Sequence, residues 1–302
     1  MQSRSKIPIT LEPYFLDSLL VALVLILYAP LLIHWYDGWL NKSISIEHEY
    51  FSHGLIGLPF AAYIIWTNRQ RWRQLPEGVH PLGTTILGLG GVFYLSGQSE
   101  LVNLSFPIIL AGLCLGLKGI AGFKLQSFPL LLILLATPTA MPYLIEPYIL
   151  PLQQFIANVA GFILVQFGLD VTVVGINLFV GGRIVEVAPH CAGLKMLFTS
   201  LYVSLMLLYW SGAWLSRQKT ILLLSGAVLV SVSANIIRNA ILTFFHGTGQ
   251  DHAFHWLHDS WGGDLYSACM LAMLIVLLNG IEKYYLDKSE PLAPTKNSLS
   301  EQ

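Results

Sequence analysis

The sequence predicts an all-α integral membrane protein: a polytopic bundle of about eight transmembrane helices, with one interfacial or re-entrant segment and a short outer β-hairpin. Of its 302 residues, 55% are hydrophobic and 11% are charged, against roughly 25% charged in an ordinary soluble domain. Apolar runs long enough to cross a bilayer recur from Leu19 to Ile281. The net charge of −1 does not suggest a nucleic-acid partner.

The apolar runs define the elements in order. The first run follows Arg4 and Lys6 but lacks a small-residue cleavage site, so we interpret it as a first span and not as a signal peptide. We expect residues 1–16 to form a cytoplasmic N-terminus, 17–285 the transmembrane domain and 286–302 a disordered cytoplasmic tail. The spans are expected at about 17–36, 53–67, 82–98, 104–118, 126–146, 191–211, 219–246 and 261–281.

A ninth apolar stretch, residues 151–168, is interrupted by Gln153, Gln154, Asn158 and Gln166. We expect this stretch to lie in the outer interface or to re-enter. With eight spans and both termini cytoplasmic, twelve of the sixteen Lys and Arg residues fall on the inner side, as the positive-inside rule requires. A full crossing by the ninth stretch would move the basic cluster at 217–219 outside. The predicted location is therefore the inner (plasma) membrane, with most histidines at the outer face.

A β-hairpin is predicted at 176–187, INLFVGGRIVEV, where β-branched and apolar runs flank Gly181 and Gly182. This hairpin leads directly into Cys191. A cysteine at a helix start gains from the positive end of the helix dipole and from Lys195 one turn later, which both favour a thiolate. Apolar surroundings oppose that effect. The alternative is that Cys191 is a small packing residue behind Gly193, as we expect for Cys114 and Cys269 in their apolar helices.

Arg238 stands in the middle of an apolar run, SVSANIIRNAILTFF. A guanidinium there costs roughly 2.5–3.5 kcal/mol on insertion scales, so it is expected to face the bundle interior or a polar cavity. Asn235 and Asn239 could help to solvate it. The alternative is a structural ion pair, with Glu146 or Glu186 as the partner.

The segment 252–266, HAFHWLHDSWGGDLY, ends beside the start of the last span. His258 is the best candidate for an acid or base there, because imidazole titrates near neutral pH. Its alternative is a polar interfacial belt. Ser52 and His53, at the start of the second span, are candidates for lining a substrate cleft or for anchoring the helix at the interface. A thiol, an imidazole and a guanidinium from separate spans together suffice for acyl transfer.

These residues together resemble the exosortase/archaeosortase family of membrane transpeptidases. The matching pieces occur in the family's order: SHG at 52–54, the GG hairpin running into VAPHCAGLK at 187–195, NIIRN at 235–239 and HDSWG at 258–262. PHCAGLKMLFTSLY most resembles the cyanoexosortase branch, and within it the B subtype. Ala192 departs from a common Ser, and Lys195 from a common Arg. Ala192 cannot donate a side-chain hydrogen bond, and Lys195 lacks the guanidinium fork of arginine. Neither position is therefore given a catalytic role.

The resemblance implies that Cys191 is the nucleophile, Arg238 the oxyanion or substrate-positioning residue and His258 the acid/base. We expect Ser52, His53, Asn235 and Lys195 to contact substrate. The implied partners are the lipid bilayer and exported proteins that end in a PEP-CTERM-type sorting motif, a hydrophobic helix and a basic cluster. The enzyme would cleave at that motif through a thioester and pass the chain to an acceptor. Neither a metal nor any other cofactor is implied.

Two other functions fit parts of the sequence. A zinc hydrolase could draw its ligands from five histidines, although no HExxH motif is present. Those histidines are His48, His53, His252, His255 and His258. A transporter could bind an anion at Arg238, although the sequence shows no repeated halves of the kind common in transporters.

Overall fold

The computed structural model describes residues 13–40, 50–78, 80–187, 193–258 and 260–289. Within these ranges the chain is mainly helical, with a single three-stranded sheet before the last third of the sequence. The elements are α1 (Pro13–Leu40), α2 (Gly54–Thr67), α3 (Arg69–Gln74), α4 (Pro81–Leu95), α5 (Ser99–Ala136), α6 (Met141–Ile145), α7 (Leu150–Gln166), β1 (Val171–Val174), β2 (Asn177–Val180), β3 (Arg183–Glu186), α8 (Leu194–Ser211), α9 (Arg217–Gly247), α10 (Asp251–His258) and α11 (Trp261–Ser289).

Five of the described helices are long and apolar enough to cross a membrane: α1, α5, α8, α9 and α11. Three shorter apolar helices, α2, α4 and α7, accompany them. The prediction of a polytopic helical membrane protein is therefore confirmed. The count of eight spans stays a prediction, because helix length and composition alone do not position the chain in a bilayer.

The helix bounds differ from the predicted spans in the middle of the chain. One long helix, α5, covers the span predicted at 104–118 and the first part of the span predicted at 126–146. The positive φ of Gly119 (61°) breaks this helix between the two. The span predicted at 126–146 is wrong beyond Ala136. There the backbone of Thr137 turns extended, and prolines at 138 and 142 flank the start of α6.

Two other segments also differ from the prediction. Residues 150–166 form a continuous 17-residue helix, α7, in spite of their amide side chains. Gln153 explains this, because it turns inward and donates from Nε2 to the Val187 carbonyl at 2.9 Å. Near the C-terminus, α11 continues to Ser289, into the segment predicted as a disordered tail.

Polar contacts join α1 to α5 along one face of α1. The Tyr28 hydroxyl is hydrogen-bonded to Ser105 Oγ at 2.7 Å, and Trp35 Nε1 donates to Asn103 Oδ1 at 2.9 Å. Asn103 in turn donates to the Pro138 carbonyl at 3.0 Å. Between apolar helices in a membrane such bonds, together with close packing, supply much of the specificity of association.

The sheet runs in the order β1-β2-β3 and is antiparallel throughout. The predicted hairpin is β2-β3, with Val180 opposite Arg183 across the Gly181-Gly182 turn. An additional strand, β1, extends it. The sheet packs on α7, where a Cβ on Gly161 would lie 2.4 Å from the Val173 side chain, and the side chain of Leu178 is fully buried. Its β2-β3 end reaches α9, so the sheet links two helices of the bundle.

We predict that Gly57→Ala destabilises the protein by about 1–3 kcal/mol. A Cβ on Gly57 would lie 1.9 Å from the hydroxyl oxygen of Tyr202, which is buried on α8 and donates to the Leu132 carbonyl at 3.0 Å. Thermal unfolding in detergent measures the effect. The matched control is Gly91→Ala in α4, where a Cβ would meet nothing within 4 Å. Equal midpoints for the two variants would contradict the close packing of α2 on α8.

Candidate active site

The central feature of the site is a polar stretch of the otherwise apolar helix α9. Asn235 and Asn239 are 1% and 2% exposed, and Arg238 between them is half-buried. Asn239 Nδ2 donates to the main-chain carbonyl of Asn235 at 2.9 Å, so part of the polar face is satisfied within the helix itself. The three polar side chains thus turn towards the bundle, as expected for costly groups in a membrane helix.

Arg238 lies beside the first turn of α11. A Cβ on Gly263 would lie 3.8 Å from Arg238 Nη2. The Tyr266 hydroxyl donates to the main-chain carbonyl of Ala234, one turn before Arg238, so α11 is fastened to α9 at this level. Of the two carboxylates considered as ion-pair partners, Glu186 forms no such pair with Arg238, and the Glu146 side chain is outside the described part.

His258 ends α10 and approaches the same glycine. A Cβ on Gly263 would lie 2.9 Å from the Leu257 carbonyl oxygen and 3.9 Å from that of His258. The imidazole stacks on Phe254, with ring centroids 5.2 Å apart and planes 9° from parallel. The backbone of Gly263 is therefore the place where Arg238 and the end of α10 meet, and only a glycine allows that approach.

A half-open cleft of about 150 Å³ lies next to this junction. It is smaller than the roughly 300–1,000 Å³ pockets that hold drug-sized ligands, so it suits part of an extended chain better than a whole small molecule. The sequence pattern did not indicate Phe254, His246 or Leu242 as cleft residues, because the cleft forms only when β3 packs over α9 and α10. Its lining consists of Ile184, Val185, Glu186, Asn239, Leu242, His246, Phe254 and His258.

The β2-β3 turn is clamped to the helices that carry Arg238 and His258. A Cβ on Gly181 would lie 2.3 Å from the Gly247 carbonyl oxygen at the end of α9. Arg183 forms an ion pair with Asp251 at the start of α10. The hydrogen bond from Arg183 and its positive charge lower the pKa of Asp251. The carboxylate therefore stays ionised, and the ion pair persists, until the pH falls below the usual pKa range of an aspartate.

Cys191 lies in residues 188–192, outside the described part of the chain. Both ends of the described chain next to it are fixed. The Val187 main-chain N–H donates to the Ile176 carbonyl at 2.9 Å, and the Val187 carbonyl accepts from Gln153. On the other side, Gly193 adopts the left-handed conformation (φ 79°) as the N-cap of α8. The sheet and α8 thus fix where the chain leaves and returns on either side of Cys191.

Asn235 lies directly against Gly193. A Cβ on Gly193 would be 2.6 Å from Asn235 Cγ and 2.8 Å from Nδ2. Neither Nδ2 nor Oδ1 of this buried amide has a hydrogen-bond partner among the described residues. Leaving such groups unpaired costs about 1–3 kcal/mol each. A side chain that is kept at this cost, beside the start of α8, calls for an explanation.

The remaining predicted substrate contacts lie around α8. Lys195 is half-buried in its first turn. His53 is buried, and its Nε2 is 3.0 Å from the Leu135 carbonyl oxygen while its ring lies on Tyr202 at 4.4 Å between centroids. Ser52 precedes it and is half-buried. Neither Ser52 nor His53 lines the cleft beside His258, and the His53 side chain instead packs between α5 and α8.

The zinc hypothesis meets no support in the described residues. They contain no group of three or more His, Cys, Asp or Glu side chains that could hold a metal ion. His48, one of its five histidines, lies outside the described ranges. His252, His255 and His258 share the short helix α10, whose last residue faces the cleft.

Comparison with known proteins gives a family match. Residues 39–275 match the family model described as transmembrane exosortase (Exosortase_EpsH). No curated protein and no solved structure matches the chain significantly. The match spans most of the chain and includes Arg238, His258 and the hairpin together with the residues that follow it.

Proposed function

Since the chain belongs to the transmembrane exosortase family, we propose that it is a membrane-embedded cysteine transpeptidase, of the cyanoexosortase branch, that removes the C-terminal sorting signal of exported proteins. Its substrates carry a PEP-CTERM-type motif, a hydrophobic helix and a basic cluster. Its site opens at the outer face of the plasma membrane, and both termini are cytoplasmic. The polytopic helical fold suits this substrate, because a bundle in the bilayer can receive a single substrate helix from the side.

One series of contacts carries the proposal. Gly193 touches Asn235, Asn235 lies one turn before Arg238 on α9, and Arg238 and the end of α10 both approach Gly263. Two peptide units hold the Cα atom of Cys191 within about 7 Å of that of Gly193. A thiol, a guanidinium and an imidazole from three separate elements are therefore compatible with one pocket, which is the requirement for acyl transfer.

The chemistry follows from the assigned roles. The Cys191 thiol gives its proton to the His258 imidazole, and the sulfur attacks the scissile carbonyl carbon. A C–S bond forms and the carbonyl electron pair moves to oxygen, where the Arg238 guanidinium stabilises the negative charge. When the carbonyl re-forms, the C–N bond breaks and the leaving amine takes the proton from the imidazolium. The thioester remains on the enzyme, and the helical tail leaves.

The second half-reaction mirrors the first. An acceptor nucleophile gives its proton to His258 and attacks the thioester carbonyl carbon, through a second oxyanion at the same position. The C–S bond then breaks, and the transferred chain leaves with the acceptor. His258 returns the proton to the sulfur, which restores the starting enzyme. His258 suits both directions because it lines an open cleft where an acceptor can reach it.

We expect Cys191→Ala to abolish processing of a reporter with the three-part tail while the protein still inserts and folds, because the change removes the nucleophile and little volume. Mass spectrometry of the wild-type enzyme with the reporter is expected to find a thioester at Cys191. The matched control is Cys114→Ala, a cysteine within α5. Wild-type processing by Cys191→Ala would rule out the cysteine mechanism.

Arg238→Lys is expected to lower the processing rate by about 100-fold or more, because an ammonium group cannot reproduce two parallel donors on one oxygen. The rate per folded molecule is measured with the same reporter. Arg69→Lys, which alters a half-buried guanidinium stacked on Trp66, is the control and should retain full activity. Equal rates for the two variants would remove Arg238 from the reaction.

Gly263→Ala is expected to slow processing by up to about 100-fold, because its Cβ would push the Leu257 carbonyl, and with it His258, away from Arg238. Gly280→Ala lies in the same helix, where a Cβ would meet nothing within 4 Å, and should have no effect. Rates are compared per folded molecule. A full rate in the Gly263 variant would show that the spacing at this junction is not critical.

A further inference from the structure

We propose that the Asn235 carboxamide is a catalytic hydrogen-bond donor: together with the N-terminus of α8 and with Arg238, it binds the oxyanion formed at the scissile carbonyl. This inference rests on the proposed function, since it assigns a group to the tetrahedral intermediate of that reaction. It gives Asn235 a definite role in place of a general contact with substrate.

The first observation is the unpaired amide. Asn235 is 1% exposed, and both polar atoms of its carboxamide lack a hydrogen-bond partner in the described structure. Asn239, four residues later, shows that the helix can satisfy a buried amide, because its Nδ2 donates to the Asn235 carbonyl. Asn235 is instead left with a free N–H donor, as expected for a group whose partner arrives with the substrate.

The second observation is the position of that amide. Its Cγ and Nδ2 would lie 2.6 and 2.8 Å from a Cβ on Gly193, so the carboxamide packs directly against the N-cap of α8. That helix has 18 residues, and no side chain caps its N-terminus. The positive end of a helix stabilises a negative charge placed there. An amide donor and a helix N-terminus thus lie side by side at Gly193, two residues after Cys191 in the sequence.

Arg238 completes the arrangement from the same helix. Residues three apart on a helix lie on one face, so Asn235 and Arg238 can reach a common oxygen from α9. A donor held in place before the reaction needs no reorganisation in the transition state, and burial strengthens its interaction with a developing charge. In the C–S bond-forming step, the carbonyl electron pair moves onto the oxygen that Asn235 Nδ2 and Arg238 then bind.

Asn235→Leu tests the inference, because leucine matches the shape of asparagine and removes both polar atoms. We expect kcat for the reporter to fall by about 100- to 1,000-fold with KM little changed. The melting temperature should stay the same or rise, because an unsatisfied amide has been removed. Asn235→Ala serves as a second variant with the same expected loss of rate, in case the leucine side chain does not fit beside Gly193.

The matched control is Asn103→Leu. Asn103 accepts from Trp35 and donates to the Pro138 carbonyl, so this variant should lose stability while the rate per folded molecule is kept. A second readout is the rate at which a haloacetamide alkylates Cys191. Alkylation forms no oxyanion, so it should be as fast in Asn235→Leu as in the wild type.

The outcomes separate the two claims. If Cys191→Ala is inactive but Asn235→Leu processes the reporter at the wild-type rate, the oxyanion role is wrong and the proposed function stands. If Asn235→Leu loses processing and alkylation equally, Asn235 positions the cysteine segment and does not bind the oxyanion, so the inference is overturned. If the wild-type enzyme processes no reporter, the proposed function and this inference fail together.

Discussion

An arginine in the middle of an apolar helix imposes a constraint on everything packed around it. Arg238 needs a polar or interior position, and α9 meets that need by turning Asn235, Arg238 and Asn239 to one side. Two neighbouring elements pack against this face. The start of α8 lies over Asn235, and the start of α11 lies beside Arg238. Helices α8 and α11 thus both approach the polar face of α9 that carries this charge.

The sheet and α10 line the cleft next to this face, together with Asn239 and Leu242 of α9. A hairpin alone is marginally stable in water, and this one gains support from α7 beneath it and from the end of α9 at its turn. The backbone contact between Gly181 and Gly247 fixes the hairpin to the helix that bears Arg238. The Arg183–Asp251 ion pair is exposed and adds little energy, but it joins the same hairpin to α10, the helix that ends at His258.

The candidate site contains a group that lowers the stability of the fold. The buried amide of Asn235 has no hydrogen-bond partner among the described residues, which reduces stability, whereas the polar side chains between α1 and α5 are paired. Such a division is typical of enzymes, in which groups that are arranged for a transition state are poorly satisfied in the resting protein. Elsewhere the bundle is closely packed, with Tyr28 and Trp35 fully buried in the core and α2 packed on α8 at Gly57 and Tyr202.

The sequence by itself determined the class of the protein and the identity of its candidate residues. Long apolar runs indicate membrane helices, because a helix satisfies its own backbone hydrogen bonds within the bilayer. An arginine within such a run is energetically costly whichever way its side chain points, so the sequence alone identifies it as a candidate. The Gly181-Gly182 pair indicated the hairpin because the geometry of a two-residue turn depends only on residues adjacent in the sequence. The tertiary structure decided what local patterns do not contain: the break at Gly119, the third strand β1, the cleft under β3 and the burial of His53 against Tyr202. It also decided that Asn235 meets Gly193 and that Gly263 receives both Arg238 and the end of α10. These are contacts between segments far apart in the chain, and they depend on how close two backbones come, which no periodicity or motif records.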